Sequence, residues 1–236
     1  DTTNNQNIVF NNNVTADTFT TAAQGYDIFL LGDATFANAI TFQNTGTLDL
    51  GNATSDTLTF NGGVTENTGG TVVIDGAIVS SDDAISFGNI LLGQNLSMTS
   101  AGGAISIGTI SPASGTHDVT ITSSGGSANT VAVGAISGNI NTVAITGSTS
   151  VTLNGNITTN NSSGNSVTIT GTTINTGAIT IDTDTNNNDG AINLVGSVAG
   201  SNNNLVLNSG GAEITLSGTA LNLGSGSLTT TGDINL

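Results

Sequence analysis

Pairs of apolar residues separated by one polar or small residue recur from end to end of this 236-residue chain, and they constrain its fold more than any other feature. Ile105-Ser106-Ile107, Val119-Thr120-Ile121, Val131-Ala132-Val133, Val143-Ala144-Ile145, Val151-Thr152-Leu153 and Val167-Thr168-Ile169 are consecutive examples. Alternation with a period of two places both apolar side chains on one face of a very short strand and leaves the middle residue facing water. Nine of the pairs extend into a longer phrase, in which a Gly and then a third apolar residue follow. Ile105/Ile107/Gly108/Ile110, Val131/Val133/Gly134/Ile136 and Ile192/Leu194/Gly196/Val198 are copies. The phrases begin at residues 58, 72, 85, 105, 131, 151, 167, 192 and 214, a mean interval of 19.5.

A short-stranded repeat near 20 residues is the signature of a solenoid, in which each repeat forms one turn and buries its apolar face against its neighbours. The expected fold is therefore all-β, a parallel β-helix of about ten rungs with roughly 20 residues per rung. Gly at each phrase is expected to permit a positive φ at a corner. The segments 111–118, 123–130, 158–166 and 182–189 are expected to protrude as loops. A β-sandwich fits less well: two inward residues per strand are too few, Trp is absent and aromatics make up only 3% of the chain. Every aromatic lies between Phe10 and Phe87. Residues 1–87 are thus expected to form aromatic-containing first rungs or a cap, and residues 88–236 a uniform shaft of the same continuous domain.

The chemistry available is narrow. There is no Lys, no Arg and no Cys, against sixteen Asp and Glu and one His, for a net charge of −16. Without basic side chains the chain has nothing to clamp phosphate, attract nucleic acid or form a Schiff base. Its charge also opposes anionic lipid, and no stretch is long and apolar enough to span a membrane. Without Cys there is neither a disulfide frame nor thiol chemistry. The first residues lack the basic and apolar regions of a signal peptide, which fits a processed secreted chain or part of a longer one.

The strongest candidate site is the loop Asp182-Thr183-Asp184-Thr185-Asn186-Asn187-Asn188-Asp189-Gly190. Asp182, Asp184, Asn186, Asn188 and Asp189 supply alternating oxygen ligands of the kind Ca²⁺ prefers. The glycine falls one residue late for an EF-hand loop, and Val195 stands where a bidentate Glu would be. Asp82-Asp83 is the only adjacent acidic pair, and it reads as a solvated turn. His117, beside Asp118, reads as a solvated loop residue. Asn at equivalent corners is expected to form side-chain ladders. Pairs such as Thr120/Thr122 would bind ice only if held in register over many rungs, which the uneven spacing opposes.

The phrases Ser150-Val151-Thr152-Leu153-Asn154-Gly155-Asn156-Ile157-Thr158 and Gly177-Ala178-Ile179-Thr180-Ile181-Asp182 resemble the β-helical shafts of filamentous-haemagglutinin-like adhesins and autotransporter passenger domains. The likeness covers residues 40–236. It implies an extracellular, bacterial cell-surface location and a structural or adhesive role without catalysis. Implied partners are copies of the chain or neighbouring solenoid segments, and surface glycans or a host receptor. The alternatives are a subunit of a self-stacking extracellular fibre and, less favoured, a carbohydrate-active β-helix enzyme.

Overall fold

The computed structural model describes residues 6–66, 69–125, 129–161, 164–185 and 187–235. All regular structure among them is β-strand, and every strand pairing is parallel. The strands coil into ten turns and the opening of an eleventh, as the repeat predicts.

Each full turn has three faces. The first carries Asn7–Phe10, Asp27–Leu30, Leu48–Leu50, Val72–Ile74, Ile90–Leu92 and Ile110–Pro112. It continues through bridges at Ile136 to Ile157–Thr158, Ile179–Asp182, Leu205–Asn208 and Leu228–Thr231. The second face begins with Val14–Ala16, Ala34–Phe36 and Thr57–Phe60, and the third with Ile40–Phe42, Val64–Glu66 and Ile85–Phe87. Ile140–Leu153, Asn165–Thr176 and Ala191–Ala199 each bend through a corner to serve both of the latter faces.

The pitch in sequence is longer than the phrases suggest. Leu58, Ile78, Met98, Ile121, Ile145, Ile169, Leu194 and Leu216 form one vertical column on the second face. Its seven steps span 158 residues, between 22 and 23 per turn. The phrase at 72 lies on the first face, those at 85, 105, 131 and 151 on the third, and the rest on the second. Counting phrases therefore mixed corners and shortened the apparent period.

Both residues of each apolar pair point inward and are almost fully buried, from Ile28 to Leu216. A single core cluster runs from Tyr26 to Leu223. Each buried Ile or Leu contributes about 1.5–3 kcal/mol relative to exposure. The aromatics fill the first turns: Phe36 and Phe60, in register on adjacent strands, stack at 5.5 Å, and Phe42 meets Phe60 edge to face at 6.3 Å.

The corner glycines have a different role from the one expected. Of the nine in the repeated phrase, only Gly196 has a positive φ, at 141°. Of the others, all but Gly88 are small because a neighbouring turn leaves little room. A β-carbon on Gly134 would overlap the Gly108 carbonyl oxygen, and one on Gly108 would lie 2.8 Å from that of Gly88. Gly171, Gly196 and Gly218 form a second such column.

Among the described residues the corners are bound by a side-chain-to-backbone tie. Entering the first face, Asp27, Asn89, Asn156 and Asn204 each accept, on a side-chain oxygen, the backbone N–H of a residue one turn on: Thr47, Thr109, Thr180 and Ser227, at 2.6–3.0 Å. Buried hydroxyls inside the coil instead donate to backbone carbonyls. Ser80 and Ser100 both donate to the Asp83 carbonyl, and Ser123 donates to that of Gly103.

Candidate functional site

The residues singled out for calcium lie at the corner between the first and second faces. Asp182 closes the strand Ile179–Asp182, and its Oδ1 accepts the backbone N–H of Asp184 and the amide of Asn208, both at 3.0 Å. The amide of Asn188 is turned away, donating to the Asn160 carbonyl at 2.9 Å. Asp184 and Asp189 both lie over Gly210 of the next turn, where a β-carbon would sit 2.9 Å from Asp184 Cγ and overlap Asp189 Oδ1. Asn186 lies outside the described residues. Thr183, at the loop's start, is fully buried, with its hydroxyl donating to the carbonyls of Gly190 and Asn208. The loop is thus braced by hydrogen bonds within itself and to both neighbouring turns. Among the described residues no three His, Cys, Asp or Glu side chains gather in the manner of a metal site.

The other acidic candidates lie on different edges. Asp82 and Asp83 are exposed at the corner between the second and third faces, where the Asp83 carbonyl caps the two serine hydroxyls. His117 and Asp118 belong to the strand His117–Ser123 rather than to a loop. His117 Nε2 lies 2.6 Å from the Ser114 carbonyl. Asp118 is enclosed by donors: its Oδ1 accepts from Asn141 at 2.8 Å and from Thr142 at 2.7 Å. Such amide and hydroxyl donors stand in for the missing cations along this edge.

Two carboxylates escape sequence reasoning. Asp49 is the middle residue of Leu48–Leu50 and points outward, yet its Oδ1 is buried and accepts no hydrogen bond among the described residues. Burial, and then the charge of Asp75, push its carboxyl up to about 6. Asp75 is also raised, by burial and by Asp56, against the opposing effect of His117. No motif marks Asp49, because its neighbours are brought to it from 20 and 24 residues away.

The missing side chains of the second glycine column open a shallow groove of about 550 Å³ along the coil, lined by Thr146, Thr170, Thr172, Ser197 and Thr219 among others and mainly apolar on its surface. Register shifts at the corners leave the strand centres aligned: Thr99, Thr122, Thr146 and Thr170 stand in one outward column. The column beside it reads Ser97, Thr120, Ala144, Thr168, Asn193, so paired hydroxyls are interrupted at Ala144. Interruption, rather than loss of register, is what breaks the array needed for ice.

The fold defined here is a three-faced parallel β-solenoid. The chain matches no protein-family model, no curated protein and no solved structure.

Proposed function

We propose that this chain is a structural β-solenoid, a rigid segment of the shaft of an extracellular, bacterial cell-surface protein of the filamentous-haemagglutinin-like or autotransporter kind. In this reading it acts without catalysis. The observation that carries it is the uninterrupted core, tied at its corners from turn to turn by side-chain oxygens on backbone N–H groups. Such ties hold consecutive turns at about 4.8 Å and resist bending and shear. Rigidity and reach follow, while loops and outward columns remain free to contact glycans, a receptor or adjoining solenoid segments. The candidate acidic residues support the non-catalytic reading. Asp82 and Asp83 lie on one edge, and His117, Asp118 and Asp182 on another, so the two groups are held apart rather than gathered in one cleft.

Electron microscopy of the purified chain tests the reading. Discrete short rods, about 50 Å long for ten stacked turns, are expected. Long filaments would instead favour the self-stacking subunit. Turnover of a polysaccharide that is lost on Asp82→Asn or Asp83→Asn would overturn the non-catalytic assignment.

A further inference from the structure

The outward side chains of the first face change character along the coil. Val9, Phe29, Asp49, Val73 and Leu91 stand in register on five successive turns, followed by Ser111. The equivalent column on the third face is Thr41, Thr65, Ser86 and Ser106. Val9 is 44% exposed, and Phe29, Val73 and Leu91 are partly exposed, as is Leu31 just beyond Phe29. A carboxylate therefore sits at the centre of an outward apolar stripe, with one oxygen buried and without a described donor.

A desolvated carboxylate is costly unless a hydrogen-bonded countercharge reaches it. This chain has no Lys or Arg to supply one. Its single His, His117, acts on Asp75 and is not among the causes that move Asp49. A second copy of the chain brings no Lys or Arg either. We propose that the outer surface of the first face over turns one to five docks a partner polypeptide bearing a lysine or arginine between apolar side chains. The cation meets Asp49, and the apolar flanks cover Phe29 and Val73. Charge complementarity selects this occupant: the apolar stripe gains from being covered, and the partner's cation pairs with the Asp49 carboxylate, to which the chain itself brings no Lys or Arg. This goes beyond the rod reading and does not depend on it.

Fluorescence polarisation with the full chain at pH 7.5 and 0.15 M salt tests it. The probe is a labelled peptide of three Ile-Lys-Ile units joined by Gly-Ser, with Ile-Glu-Ile and Gly-Lys-Gly versions as controls. The Ile-Lys-Ile probe is expected to bind, and both controls to bind at least tenfold more weakly. Asp49→Asn is expected to weaken binding about tenfold, as is Phe29→Ser, while Asp82→Asn on the opposite corner leaves it unchanged. Equal binding of the Gly-Lys-Gly probe, or undiminished binding by a folded Asp49→Asn chain, would overturn the proposal. If Phe29→Ser does not fold, Asp49→Asn decides alone.

Discussion

Asp27 Oδ1 accepts the backbone N–H of Thr47 at 2.6 Å, reaching across one whole turn of the coil. The same tie recurs at Asn89 and Thr109, Asn156 and Thr180, and Asn204 and Ser227, so it is a recurring device rather than a local accident. Removing one acceptor leaves a backbone donor without its partner at a corner where the strand ladder is interrupted. Asn89→Ala is expected to cost about 1 kcal/mol, a fall in Tm of about 2–4 °C for a chain this size. Asp27→Asn, which keeps the acceptor, is expected to cost less than Asp27→Ala. Thermal melts by circular dichroism check both, and identical losses for the two Asp27 variants would refute the tie.

Glycines in a single column should differ sharply in tolerance. A β-carbon at Gly134 would overlap the carbonyl of Gly108, whereas at Gly88 the nearest atom is Glu66 Oε2 at 3.6 Å, an ordinary contact. Gly134→Ala is expected to destabilise by about 2 kcal/mol or more. Gly88→Ala is expected to be neutral, or stabilising by a few tenths to about 1 kcal/mol through the stiffer unfolded chain. Denaturant titration of both variants checks this, and equal effects would contradict the steric account.

Within the aromatic core, Phe60 touches both Phe36 and Phe42 and is fully buried. Phe60→Ala is expected to cost about 3–5 kcal/mol, and Phe60→Leu considerably less, because the residual cavity is smaller. Urea midpoints compare them.

Stability should fall as pH rises from about 4 to about 6. Asp49 is raised to about 6 by burial and by Asp75, and Asp75 is raised by burial and by Asp56, against His117. A carboxyl whose folded pKa exceeds its unfolded value favours folding in its protonated form. That contribution is complete below the unfolded value and lost as pH climbs through the folded one. The Tm is therefore expected to be higher at pH 4.5 than at pH 7. Asp49→Asn should raise the Tm at pH 7 and shrink the difference. A Tm for Asp49→Asn that tracks the parent at every pH would refute this role.

The architecture was legible because alternation is local: Val119-Thr120-Ile121 states by itself which side chains face inward, and the inward pairs are buried as expected. What depends on stacking was not legible. The pitch was underestimated because phrases at Val72 and Ile85 belong to different faces of one turn. Gly134 reads as a flexible corner until Gly108 is placed beneath it. Asp49 reads as an ordinary solvated residue until Phe29 and Val73 arrive on either side from distant sequence positions. The segment from Asp182 to Asp189 reads, in sequence, as a loop of oxygen ligands suited to calcium. Which of those atoms are engaged depended on Asn160, Asn208 and Gly210 in other turns.

The turns of the coil stack in register, and the absence of cysteine allows their spacing to be measured with introduced labels and without background. Thr35, Thr59, Val79, Thr99, Thr122, Thr146 and Thr170 form one outward column of six steps. With nitroxide labels on Thr35→Cys and Thr170→Cys, double electron–electron resonance should give a single narrow distribution near 29 Å, six spacings of about 4.8 Å, broadened only by the labels. A broad distribution, or one centred more than about 10 Å away, would contradict a stacked and rigid solenoid.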